Sequence, residues 1–232
     1  DHGEAEALSA GFGAKPTPAA IDADLRLNGD FLGSGGGVAA VLQLQRPALL
    51  RFAANDPLGR ALVLAVSDGA AFTLVDNRQG RVYQGSTDSK FWHSYVPESV
   101  AVADVFVLLG AMAPEGRRRV AESGRDKEGT GFWYVLDTSN GSTRHLLLDR
   151  RSGTMRRHLL VDDGEPVLDI VYSGATGADS TGYQWPRELR VTGSAITGTL
   201  SVHLDTVFSD QPLPAATFRL TLPPHFTVER VE

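Results

Sequence analysis

The sequence has no cysteine. A thiolate zinc site, a disulfide framework and a cysteine nucleophile are all excluded by that one absence. Long apolar runs are missing too, and none approaches the roughly 20 residues that a membrane-spanning helix needs. Positive charge is scarce, with 22 Lys and Arg against 28 Asp and Glu, a net charge of −6 and a pI near 5.5. A duplex-binding surface needs clustered cations to replace counterions, so nucleic acid is not an expected partner. The one dense basic run is Arg117-Arg118-Arg119. No methionine opens the chain at Asp1, which reads as a trimmed chain such as one that has lost a signal peptide. No repeat of 20–50 residues is present.

What remains is rich in punctuation, with 25 glycines and 12 prolines in 232 residues. Hydrophobic residues at 42% and charged residues at 22% are ordinary globular usage, which excludes bulk disorder. Residues 1–19 give a helix-compatible stretch from Glu4 to Leu8, then a linker carrying Gly11, Gly13, Pro16 and Pro18. From Ala20 the period becomes two. Ile21, Ala23, Leu25 and Leu27 alternate with Asp22, Asp24, Arg26 and Asn28, the pattern of a strand with one wet face. Further strands are expected at 38–45, 48–54, 60–67, 71–76 and 81–84. A glycine turn at 33–37, Asp68-Gly69 and residues 77–80 separate them. Turns this tight join antiparallel neighbours, since parallel crossovers take a dozen residues or more.

The period then breaks. Residues 86–95 and 97–112 read as helices, with Thr87 capping the first and Pro97 in the first turn of the second. The second is apolar on nearly every side, so it belongs inside the curve of the sheet. Residues 114–130 are charged and expected to be exposed. Strands resume at 131–137, 143–150, 154–162 and 166–172, joined by turns at Asn140-Gly141, 151–153 and 162–164. Strands at 185–192 and 195–206 follow, and Phe218, Leu220 and Leu222 suggest a closing one.

Catalytic signatures are not legible. The glycine turn lacks the Lys-Ser/Thr and helix of a phosphate loop, and no Gly-x-Ser-x-Gly elbow occurs. The six histidines form no helical metal pair, although His145 and His158 fall on neighbouring predicted strands, where they would face each other. Asp162, Asp163 and Glu165 lack the distal Glu of a calcium loop. No cofactor, metal or enzymatic activity is expected.

The order of elements resembles the LolA/LolB-like group, the bacterial lipoprotein-localisation factors and their relatives. The matching features are a meander, two helices between 86 and 112, and a second meander. Local matches are Gly36-Gly37, Arg46-Pro47, Leu50-Arg51-Phe52, Asp68-Gly69, Phe72, Asp76 and Tyr95-Val96-Pro97. The tail adds residues 208–214, Phe218 and Pro223-Pro224-His225. The chain departs from that pattern in having no lipobox cysteine and no legible protruding apolar loop of the kind with which the membrane-bound receptor touches lipid.

The resemblance implies a mainly β fold: a strongly curved antiparallel half-barrel of about 11 strands, over residues 20–232, with helices at 86–112 covering the concave face as a lid. It implies a non-enzymatic carrier of lipid or lipoprotein acyl chains in the periplasm, held at the outer membrane or in peripheral contact with it. A structural module of an envelope assembly is the alternative. Alternation aims Leu25, Leu27, Leu42, Leu44, Leu50, Phe52, Leu62, Leu64, Phe72 and Leu74 inward from the first meander. The second contributes Leu146, Leu148, Leu159 and Val161, and the lid Phe91, Trp92, Leu108 and Leu109. Alternation does not separate a cavity wall from a packed core; the cavity is implied by the resemblance alone.

Overall fold

The computed structural model describes residues 2–29, 36–114, 120–138, 141–179, 181–209 and 211–232. The Arg117-Arg118-Arg119 run, Asn140, Asp210 and most of the glycine turn lie outside them. A helix α1 (His2–Gly13) precedes six strands: β1 (Ala20–Gly29), β2 (Gly36–Gln45), β3 (Leu49–Asn55), β4 (Ala61–Ser67), β5 (Ala71–Asp76) and β6 (Arg81–Ser86). Two short helices follow, α2 (Lys90–His93) and α3 (Val102–Gly110). The second set of strands is β7 (Val120–Arg125), β8 (Gly131–Asp137), β9 (Thr143–Asp149), β10 (Met155–Asp162), β11 (Glu165–Ser173), β12 (Glu188–Thr192) and β13 (Leu200–Phe208). The last strand is β14 (Thr227–Val231).

All 14 strands share one open sheet in the order β14-β6-β5-β4-β3-β2-β1-β13-β12-β11-β10-β9-β8-β7. The chain starts in the middle, winds out to β6, crosses through the helices to the opposite edge at β7, and winds back until β13 closes beside β1. The seam is in register, with Leu25 opposite Leu204 and Leu27 opposite Val202, so apolar residues of both meanders share one face. The described residues form fourteen strands, where about 11 were expected, and one pair, β14 with β6, is parallel.

Several expectations are corrected. Residues 218–222 form no strand: a 3-10 turn (Ala215–Phe218) leads across the outer face, where Arg51 Nη1 donates to the Thr217 carbonyl at 3.0 Å. β14 follows the proline pair instead, and its Thr-Val-Glu-Arg-Val sequence carries only the partial apolar pattern of an edge. β7 arises within a segment expected to be an exposed connection. Every one of its residues is exposed, so no buried face imposed an alternation that could be read.

The helices are shorter than expected. Ser89, not Thr87, caps α2, accepting from the Trp92 N–H at 3.2 Å. Thr87 instead donates to the Gly69 carbonyl at 2.9 Å. α3 begins at Val102 rather than Pro97, because Ala101 is extended; residues 97–100 close only one turn, Val100 N–H to Pro97 O at 2.9 Å. At the N-terminus, α1 is longer than Glu4 to Leu8 and packs on the sheet, with Ala5 and Phe12 buried. The buried hydroxyl of Tyr134 donates to the Ala5 carbonyl at 2.7 Å.

Candidate functional site

α3 positions the site. Val102, Phe106, Val107, Leu108 and Leu109 are all buried, as a helix apolar at every position but Asp104 requires. Both meanders grip it. Arg46, between β2 and β3, stacks its guanidinium 4.9 Å from the centre of the Phe106 ring. From the other half, Tyr172 on β11 donates to the Leu108 carbonyl at 2.7 Å and Tyr183 to the Gly110 carbonyl at 2.5 Å. β2 and β11 are four positions apart in the sheet, which in a flat sheet would be about 19 Å. They meet a single helix within one turn because the sheet curls around it.

The concave face follows from the ladder register, since directly opposed residues point the same way. One continuous row runs Phe52, Leu42, Ala23 through the first meander. Others run Leu148, Phe132 and Leu146, Tyr134 through the second. Leu25, Leu27, Leu42, Leu44, Leu50, Phe72, Leu74, Leu146 and Leu148 are buried in the main core, and Phe52 packs against it, so these expected inward positions do face the interior.

Three expectations fail on register. Leu64 pairs with Ala53 and Val75, on the opposite face from buried Val63 and Ala65. Leu159 and Val161 are out of phase, because an irregularity between Met155 and Arg157 shifts β10 by one residue and turns His158 and Leu160 inward instead. That same shift sets His158 opposite Leu146 and His145 opposite Leu159, so the two histidines occupy opposite faces and form no pair. Leu62 is the extra residue where the β3–β4 register slips; it is half-buried and touches the core.

A cavity of about 440 Å³ lies between α3, residues 94–100 and strands β11–β13. Val105, Leu108 and Leu109 form its helical wall; Leu168, Ile170, Leu189, Val191 and Leu200 form its sheet wall; residues 195–199 rim it. Of the 18 residues expected at a ligand, only Leu108 and Leu109 line it. The first meander's interior is filled: Phe91 and Trp92 pack on Phe72, with ring centres 5.8 and 5.0 Å away, and Tyr83 lies 4.6 Å from Phe91. The missed wall was visible as Leu168 and Ile170, and as Leu189 and Val191, alternating within expected strands.

A second cavity of about 420 Å³ lies at the other end of α3, and its wall carries Lys15, Arg156 and Gln184. Lys15 donates to the Gly153 carbonyl at 2.7 Å, and burial pulls its pKa below the usual lysine range. Outside both cavities, Leu58 sits at the tip of the β3–β4 turn, 79% exposed. Among the described residues, no group of three or more His, Asp or Glu is placed to hold a metal ion, and no helix is long and apolar enough to cross a membrane.

One polar pair interrupts this interior. Arg144 on β9 stands between Leu136 and Leu160 in the inward row, and its side chain is only 5% exposed. Its Nη2 donates to Asp104 Oδ1 at 2.6 Å, while Asp104 Oδ2 accepts the Ala101 N–H at 3.1 Å. The carboxylate thereby caps the first turn of α3 and neutralises the buried guanidinium.

No family model matches the sequence, and no curated protein matches it. Solved structures do match over nearly the full length. A DUF1329 family protein from Desulfovibrio piger superposes with a TM-score of 0.64 at 13% identity, covering 94% of this chain and 96% of that one. A domain assigned to outer-membrane lipoprotein sorting from Vibrio parahaemolyticus gives 0.62 at 10% identity, covering 94% and 97%. A LolA superfamily protein from Nitrosomonas europaea gives 0.60 at 10% identity, covering 93% and 97%. Identities this low speak to architecture alone: one open, mainly antiparallel sheet curled around a central helix, which is the LolA-like fold.

Proposed function

We propose that the chain is a non-catalytic lipid-binding protein of the bacterial cell envelope, which takes an acyl chain into the cavity between α3 and β11–β13. The observation that carries this reading is the cavity itself, walled by Val105, Leu108, Leu168, Ile170, Leu189 and Val191. A methylene is similar in size to a liquid water, ~30 Å³. A half-open space of about 440 Å³ therefore admits an acyl chain of on the order of 15 carbons. At ~0.8 kcal/mol per buried methylene, such a chain gains on the order of 10 kcal/mol before ordering costs. No charged anchor is needed to hold it.

The periplasm is the compartment this reading requires, with a lipid or an acylated lipoprotein as cargo. The exposed Leu58 is the point from which the protein would touch a membrane surface. Native mass spectrometry of freshly purified protein, followed by solvent extraction, tests the proposal. A co-purifying lipid near one per chain supports it. A clean apo mass, together with no uptake of the apolar dye N-phenyl-1-naphthylamine, would refute it.

A second reading rests on β7, the exposed edge strand of the sheet. Its outer backbone groups are open to pairing with a strand from another protein, which suits an interaction module of an envelope assembly. Cross-linking through a cysteine placed at Ser123 tests this: capture of no envelope protein counts against it.

A further inference from the structure

We propose that the second cavity, at the carboxyl end of α3, binds a small organic anion: a carboxylate or phosphate sits on the Lys15 ammonium, and the apolar body lies against Phe12, Tyr183 and Trp185. The two cavities share no lining residue, so this site goes beyond the acyl-chain reading and stands apart from it.

The wall is unbalanced in charge. Lys15 and Arg156 line it, and no Asp or Glu does. Arg156 already has acidic neighbours, Asp126 at 3.7 Å and Glu128 at 4.0 Å, and donates to Thr130 Oγ1 at 2.7 Å. Lys15 has none. An ammonium carries three donors; one goes to the Gly153 carbonyl at 2.7 Å, and the Phe12 ring lies 5.7 Å from Nζ. Burial alone lowers its pKa, with no carboxylate acting to raise it. A half-buried cation with no counter-charge and donors to spare is stabilised by an anion placed beside it.

The carboxyl end of a helix ordinarily repels anions. Here the hydroxyls of Tyr172 and Tyr183 donate to the Leu108 and Gly110 carbonyls at 2.7 and 2.5 Å, which blunts that end of α3. Tyr183 and Trp185 then meet edge to face, with ring centres 5.3 Å apart, and offer flat apolar surface. Gln184 adds an amide donor to the same wall. At ~30 Å³ per heavy atom, a half-open space of about 420 Å³ holds more than inorganic phosphate occupies. It has room for an apolar body behind the charged group.

The test is isothermal titration calorimetry of the full chain with 2-naphthoate and its neutral isostere 2-naphthamide. The wild-type protein should bind naphthoate roughly tenfold more tightly. Lys15→Met should abolish that preference and Lys15→Arg should keep it. Gln184→Glu, at an exposed position, adds a carboxylate to the wall without touching the core; it should weaken naphthoate and leave naphthamide unchanged, even if Lys15→Met fails to fold. Two further probes separate the sources of the anion: 2-naphthyl phosphate should bind at least as well as naphthoate, and inorganic phosphate at least tenfold more weakly. Equal binding of acid and amide, a preference that survives Lys15→Met, or inorganic phosphate as tight as naphthoate would overturn the inference. Ile196→Trp, which fills the rim of the first cavity, should leave the naphthoate preference intact, so failure of the acyl-chain reading and failure of this one are read separately.

Discussion

Removing the Asp104 carboxylate should be among the most damaging single changes in this chain. Arg144 is 5% exposed and Asp104 20%, so Asp104→Ala strands a cation in an apolar row between Leu136 and Leu160. Breaking a buried pair from one side costs roughly 3–5 kcal/mol, and losing the first-turn cap about 1 more. A total on the order of 4–6 kcal/mol is a large share of the 5–15 kcal/mol typical of a folded domain. Urea unfolding followed by the fluorescence of Trp92, Trp133 and Trp185 would read it. With a slope on the order of 2–3 kcal/mol per molar, the midpoint should fall by roughly 2 M with the slope unchanged. The double variant Asp104→Ala/Arg144→Met should recover most of the loss, because no charge is left unpaired, giving a coupling of about 3 kcal/mol. A single variant within 1 kcal/mol of wild type, and additive with Arg144→Met, would mean that water reaches this pair and that the α3 interior is not dry.

Three further outcomes are expected. Ile196→Trp, at the half-buried rim of the cavity, should weaken N-phenyl-1-naphthylamine binding at least tenfold while shifting the urea midpoint little; unchanged binding would place the dye elsewhere. Ala111 ends α3 at φ 52°, a region where a Cβ costs about 1 kcal/mol, so Ala111→Gly should stabilise by about that much in the same unfolding assay. Burial, helped by the nearby Glu4 carboxylate, pushes the Tyr134 pKa up to about 12. Its contribution to folding is complete below the ordinary tyrosine value near 10 and is lost as pH rises through about 12. Docking of α1, followed by helical circular dichroism, should therefore weaken across that window. Tyr134→Phe should remove that pH dependence.

Most of the sheet was legible because one wet face and one dry face impose a two-residue period, and Asp68-Gly69 or Asp163-Gly164 mark where it turns. The pattern failed where no dry face exists, at β7, or where the partner is an edge, at β14. It failed by phase at Leu159 and Val161, since a single irregular residue in β10 inverts every position after it. The cavity wall was harder still. Leu168, Ile170, Leu189 and Val191 are the same residue types as the packed Leu42 and Leu44. The difference between them is what packs opposite, which no local window contains. Arg144 sat within an expected strand at an inward position, and an arginine there was a signal that could have been read.

The seam between β1 and β13 also fixes an order of assembly. Arg26 and Asp205, which pair across it, are 179 positions apart in sequence. As the chain leaves the ribosome, β1 pairs with β2 at once, but its other edge stays unpaired until β13 has been made. During that interval the half-sheet presents open backbone groups beside Ile21, Ala23, Leu25 and Leu27, a combination that recruits stray strands and aggregates. Synthesis of this chain therefore calls for a holding factor over the first meander, and truncations that stop before Leu200 should be insoluble where the whole chain is not.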